Sequence, residues 1–182
     1  MSYCAYLVGT EDKVEDAITG NHLQIKDQLI FMEAYNVPNG CNPPDYMTLN
    51  DVPSLVRLLV ANSPKRANGT HVAQPVLCRA GPGTGKTWMS KQAAYTLADQ
   101  LGECAEAGVH KGVKMVPVIM YIQQIVYVLR DTEAPPVSDL LEVYLRKVYP
   151  EWHVATLLQA YQMRALIMIM DGVDEAAGMR QY

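Results

Sequence analysis

The chain has 182 residues, 49% of them apolar, which is enough for a globular domain with its own core and too apolar for an intrinsically disordered segment. Its 15 basic and 19 acidic residues leave a formal charge of −4 with no run of Lys or Arg, so no electrostatic footprint for nucleic acid is present. Cys4, Cys41, Cys78 and Cys104 form no C-x-x-C pair, and His22, His71, His110 and His153 show no metal-ligand spacing; reduced cysteines and a cytoplasmic location are expected.

No basic segment followed by an apolar stretch opens the chain. The longest apolar region, Val113 to Leu129, is broken by Lys114, Gln123 and Gln124, short of the roughly twenty residues that a membrane span needs. No membrane partner is expected. Residues 1–75 are assigned to a helical N-terminal and linker region without a chemical constellation. Ile25, Leu29 and Met32 fall at helical spacing, and the pattern stops before the turn residues Asn36 to Asp45. A second helix is expected from about Asp51, with Pro53 in its first turn and Val52, Leu55, Val56 and Leu59 on one face. A polar connector, Ser63 to Gln74, follows; its His71 reads as a solvated loop residue.

Residues 76–182 hold the informative part. Val76 to Arg79 has the apolarity of a short buried strand, and Ala80-Gly81-Pro82-Gly83-Thr84-Gly85-Lys86-Thr87 comes directly after it. A triphosphate needs several inward-pointing backbone N–H groups, a cation on the outer phosphates and a hydroxyl for a magnesium ion. Gly81, Gly83 and Gly85 let the backbone curl where a Cβ would clash, Lys86 supplies the cation, and Thr87 supplies the hydroxyl. Met89, Ala93, Leu97 and Leu101 recur as on one face of a helix whose positive end points at the anion, and Gly102 is its expected stop. Ala80 stands where the strict pattern has Gly, so the motif is the relaxed form.

A dense apolar run, Val113 to Ile122, reads as a strand covered on both faces. Pro117 inside it removes a ladder donor, which places that strand at a sheet edge or at a bulge. Ser138 is the expected cap of a helix burying Leu140, Leu141, Tyr144, Leu145 and Val148 and limited by Pro150. The helix after it carries Val154, Leu157, Leu158 and Tyr161. Ala165 to Met170 is a fully apolar strand with Asp171 at its carboxyl end, where open parallel sheets bind ligands.

Asp171-Gly172-Val173-Asp174-Glu175 provides the acidic half of a magnesium–nucleotide site. Asp171 is the candidate metal partner beside Thr87, and either Asp174 or Glu175 could polarise a water in line with the γ-phosphate. A small GTPase is disfavoured, because its Asp-x-x-Gly switch needs Gly where Asp174 stands, and no Asn-Lys-x-Asp base reader is present.

Gly81 to Thr87, the Val116-Pro117-Val118-Ile119 strand with Arg130 beyond it, and Asp171 to Glu175 together resemble the NACHT group of P-loop ATPases, the STAND class. The Asp-Gly-x-Asp-Glu ending carries most of the likeness; the Pro-Gly-Thr-Gly loop leans towards AAA+ motors, in which Glu usually follows the Asp directly. The resemblance implies a three-layer α/β/α fold on a parallel sheet. It implies ATP or ADP with Mg²⁺ as ligands, held by Gly81, Pro82, Gly83, Thr84, Gly85, Lys86, Thr87 and Trp88. Lys86, Asp174 and Glu175 are the implied catalytic groups, and Thr87 and Asp171 the implied metal ligands. Such domains act as nucleotide switches that repack neighbouring domains or self-assemble, with slow hydrolysis resetting the state. An ATPase motor and a binding module without turnover are the alternatives. The family sheet also has a later strand between the Asp171 strand and the phosphate-loop strand, so the sequence is expected to be a truncated form of such a domain.

Overall fold

The computed structural model describes residues 2–11, 13–15, 22–25, 34–36, 45–47, 52, 77–79, 81, 83–106, 115–131 and 140–173. The elements in chain order are α1 (Tyr3–Glu11), β1 (Lys13–Glu15), β2 (His22–Gln24), β3 (Ala34–Asn36), β4 (Asp45–Met47), α2 (Lys86–Glu106), β5 (Val116–Tyr121), α3 (Ile122–Asp131), α4 (Leu140–Val148), α5 (Glu151–Gln162) and β6 (Leu166–Asp171). The class is α/β, with a two-stranded parallel sheet of β5 and β6 and two short antiparallel hairpins, β1–β2 and β3–β4.

The N-terminal third departs from the helical expectation. Ile25 closes a hairpin strand in a turn and is buried, and Asn36 pairs with Asp45 across the turn-rich segment, so those turn residues join two strands. Leu29 and Met32 lie outside the described residues. Val52 is helical and fully buried, as its place in the expected second helix requires; Leu55, Val56 and Leu59 are outside the described residues.

The parallel ladder sets Val116 opposite Leu166 and runs to Tyr121 opposite Asp171. The Val116 N–H donates to the Ala165 carbonyl at 2.6 Å, and this bond fixes the sense of every backbone group along the pair. In β5, residues 116, 118 and 120 face β6, whereas Pro117, Ile119 and Tyr121 turn their backbone groups outward. The proline therefore sits where its missing N–H breaks no rung, as expected for an edge strand. Its carbonyl accepts the Tyr3 hydroxyl at 2.9 Å, and the Ile119 carbonyl accepts the Tyr149 hydroxyl at 3.0 Å. Two tyrosines thus seal the outer edge of β5. Burial raises the pKa of both hydroxyls above the ordinary phenol value, which keeps them as neutral donors.

Side chains of Pro117, Ile119, Ile167 and Ile169 share one face of the sheet, and α2 covers it: Met89, Ala93 and Leu97 pack with Ile167, Ile169 and Val52. On the opposite face Val118 and Met120 are buried with α3, α4 and α5, where Tyr144, Leu145 and Leu157 are fully enclosed. Each such side chain contributes about 1.5–3 kcal/mol through apolar burial. On β6 this cover reaches Leu166, which packs against the same core, whereas Met168 and Met170 on that face are 50% and 52% exposed.

Further expectations are corrected. The strand after α2 begins at Val116 and ends at Tyr121, where Ile122 already opens α3. The helix α2 runs through Gly102 to Glu106, since an interior glycine costs only about 1 kcal/mol against its helix-forming neighbours. Its most buried positions are Ser90, Gln92, Ala94, Leu97 and Ala98, so burial extends beyond the Met89–Ala93–Leu97 stripe that packs on the sheet, because α1 packs along α2 as well. In α5 the buried residues are His153, Val154, Leu157 and Ala160, and Tyr161 is exposed. The helix ends in a Schellman arrangement: Arg164 N–H reaches the Tyr161 carbonyl at 2.9 Å and Ala165 N–H the Ala160 carbonyl at 2.8 Å. Arg164 takes φ 55°, a left-handed conformation usually left to glycine.

His153 is the polar residue at the α1–α5 contact. It lies 4.6 Å from the Tyr6 ring and 5.4 Å from the Tyr3 ring, and its Nε2 accepts the Trp152 Nε1–H at 3.1 Å. Burial, helped by positive charge at the N-terminus, lowers its pKa below the ordinary imidazole value of 6.5. The unfolded chain then binds a proton that the folded chain resists, so stability is full above about pH 6.5 and declines as pH falls below it. Thermal unfolding between pH 7.5 and 5.5 will show a lower Tm at the acid end, and His153→Phe will flatten that slope. An unchanged slope in the variant removes His153 as the cause.

Candidate nucleotide site

The loop before α2 takes its shape from glycine dihedrals. Gly83 has φ 71° and Gly85 φ 83°, both in the region that L side chains rarely adopt. Direct crowding is not the reason for these glycines: a Cβ at Gly83 would meet nothing within 4 Å, and one at Gly81 would meet only Thr84 Cγ2 at 3.6 Å, an ordinary contact. The Thr84 hydroxyl donates to the Gly81 carbonyl at 2.8 Å, and Lys86 Nζ donates to the same carbonyl at 3.2 Å. The lysine ammonium thus lies across the loop. The α2 ladder opens with a bond from Met89 N–H to Gly85 C=O at 2.9 Å, so the amides of Thr87 and Trp88 precede it.

The residues ahead of this loop are not the expected strand. Leu77, Cys78 and Arg79 have no regular structure and are exposed, Leu77 by 73%. A strand exists through its ladder, and no described strand pairs with this segment. Pro82 lies outside the described residues.

Asp171 ends β6 with its side chain buried, and Gly172 after it takes φ 78°, which turns the chain off the sheet. Asp171 Oδ1 accepts a long hydrogen bond of 3.4 Å from Ser90 Oγ, across 81 residues of sequence. The Ser90 hydroxyl also lies 3.2 Å from the Lys86 carbonyl, one turn back on α2. Sequence reasoning missed Ser90. Its signal was a small hydroxyl residue one turn after Thr87, on the face of α2 that meets the sheet.

The structure therefore brings the start of α2 and the carboxyl end of β6 together at Ser90 and Asp171. Thr87 is exposed on the first turn of α2, and Trp88 is half-buried with its Nε1 buried and without a hydrogen-bond partner among the described residues. Asp174 and Glu175 lie outside the described residues. Thr87 and Asp171, one hydroxyl and one carboxylate, are the residues that could take Mg²⁺, an ion that keeps several waters and binds through one or two carboxylates with phosphate oxygens; among the described residues the hydroxyl that meets Asp171 is that of Ser90.

Beside this end of the sheet, Glu11 ties α1 to its neighbours. Its Oε2 receives Lys91 Nζ at 3.2 Å and the Tyr121 hydroxyl at 3.3 Å. Burial and then the Glu11 charge raise the Tyr121 pKa, so this phenol also stays a donor. A cleft of about 220 Å³ opens here between Tyr6, Glu11, Tyr121 and Tyr149, in which the Tyr121 hydroxyl donates to the Glu11 carboxylate and the Tyr149 hydroxyl to the Ile119 carbonyl. Among the described residues, no helix is long and apolar enough to cross a membrane.

No family model, curated protein or solved structure matches this chain.

Proposed function

We propose that the chain is an ATP-binding, slowly hydrolysing nucleotide switch domain of the NACHT type on a P-loop fold. The observation that carries the reading is the Ser90–Asp171 contact: it joins the helix behind the glycine loop to the acidic end of β6, the two halves of a magnesium–nucleotide site. Gly83 and Gly85 curl the loop, the Thr87 and Trp88 amides in the first turn of α2 would be open to phosphate oxygens at its positive end, and Lys86 would neutralise the outer phosphates. Thr87 and Asp171 would hold Mg²⁺, which supplies charge neutralisation on the β- and γ-phosphates when bound. Either Asp174 or Glu175 would orient and deprotonate the attacking water. Exchange of ADP for ATP would then alter the packing of partner domains or of further copies.

The test is calorimetric titration of the full chain with ATP, with and without Mg²⁺. A saturable site at one ATP per chain, at least about tenfold tighter with Mg²⁺, is expected; no binding in either condition rejects the reading. Multiple-turnover phosphate release, compared with Glu175→Gln, separates a switch from a motor and from a module without turnover.

A further inference from the structure

Asp171 is held from two sides. It closes β6 opposite Tyr121, and Gly172 at φ 78° turns the chain off the sheet directly afterwards, so the backbone fixes where the residue stands. Its side chain is fixed from α2. Ser90 and Asp171 are 7% and 8% exposed, and among the described residues the group that meets the carboxylate is the Ser90 hydroxyl, 3.4 Å from Oδ1. A neutral donor at that distance leaves most of a buried negative charge unanswered, and such a charge calls for a cation or for further donors.

The hydroxyl has one proton and two acceptors within reach, Asp171 Oδ1 and the Lys86 carbonyl at 3.2 Å. That carbonyl lies one turn back in α2, where the helical ladder already brings it the Ser90 N–H. The carboxylate has the stronger claim on the proton, since hydrogen bonds to charged acceptors are roughly twice as strong as those to neutral ones.

We propose that Ser90 is a positioning residue for the metal: its hydroxyl holds Oδ1 of Asp171 against α2 and so leaves Oδ2 for a water of the nucleotide-bound Mg²⁺. The proposal rests on the nucleotide reading above and adds to it a residue that touches neither phosphate nor ion. Ser90 follows Thr87 by three residues, so the two share one face of α2 with Cβ atoms about 5–6 Å apart. A carboxylate tied to Ser90 therefore stands about one turn from Thr87. This is the span of an ion that takes the Thr87 hydroxyl directly, at about 2.1 Å, and Asp171 through water.

The test is calorimetric titration of ATP into the full chain and its Ser90→Ala and Ser90→Thr variants, each with and without Mg²⁺. In Ser90→Ala the tightening that Mg²⁺ gives the parent is expected to shrink about fivefold, less than the factor of about ten or more for a short charge-assisted hydrogen bond because this one is long. Affinity without Mg²⁺ is expected to stay within about twofold of the parent, because the glycine loop and Lys86 are untouched. Ser90→Thr keeps a hydroxyl that in a helix reaches the same carbonyl, and it is expected to keep the tightening. Equal weakening with and without Mg²⁺ overturns the proposal, since lost packing acts on both. Tightening unchanged in Ser90→Ala, or lost in both variants, overturns it too and leaves the nucleotide reading standing. A parent that binds ATP equally with and without Mg²⁺ removes the metal and the role of Ser90 together. A parent that binds no ATP in either condition rejects the nucleotide reading itself, and this proposal with it.

Discussion

Lys86→Ala is expected to weaken ATP binding by at least about a hundredfold while leaving the fold intact. The ammonium spans the glycine loop at 3.2 Å from the Gly81 carbonyl, so it occupies the position from which a cation meets phosphate oxygens. Charge-assisted hydrogen bonds are worth about 1.5–3 kcal/mol each, and about 1.4 kcal/mol corresponds to a factor of ten in affinity. Losing the charge leaves the loop amides and the end of α2 as the remaining anion-binding groups, which is why the expected loss is large without being complete. The side chain is partly exposed, so the Tm of the variant should stay within a few degrees of the parent. ATP affinity unchanged in Lys86→Ala would show that nucleotide, if bound at all, is bound elsewhere.

The second large effect concerns the sheet and uses the same substitution on both sides of one rung. Met120 and Met170 face each other in the parallel ladder and point to the same side, yet Met120 is 6% exposed and Met170 52%. Met120→Ala is expected to destabilise the chain by about 2–5 kcal/mol, the range for emptying a packed core position. Met170→Ala is expected to cost less than about 1 kcal/mol in dilute solution, because the side chain has little enclosure to lose. Urea unfolding of the two variants measures both values. Comparable losses would mean that Met170 is covered in solution.

Much of the α/β region was legible in the sequence because its signals are local. Pro117 announced an edge strand, Pro150 ended α4, and the run from Leu166 to Met170 ended at Asp171 as its apolarity implied. The errors share a cause, which is that burial depends on what lies opposite. Val76 to Arg79 is apolar enough for a strand, but Leu77 stays exposed because apolarity does not supply a ladder partner. β6 is fully apolar in sequence, yet Met168 and Met170 are half exposed, because an apolar run does not say which of its residues a helix will cover. In the N-terminal third, Ile25 had helical spacing to Leu29 and Met32, and a run so short does not separate a helix from a hairpin with turns. Of the candidate site, the glycine loop, Lys86 and Asp171 were visible as motif letters. Ser90 was not, since its role arises only when α2 and β6 meet; Met89, Ala93 and Leu97 do pack on the sheet, and the burial of Ser90, Ala94 and Ala98 beside them widens that stripe.

The tyrosine-sealed edge gives α1 a duty that its sequence does not advertise. Tyr3 is the third residue of the chain, yet its hydroxyl closes a carbonyl of the central sheet 114 positions away. Loss of α1 through Tyr3 would strip the hem from β5 and leave the Pro117 carbonyl an unmet acceptor, so a preparation that has lost these residues to proteolysis should be judged by its tendency to precipitate.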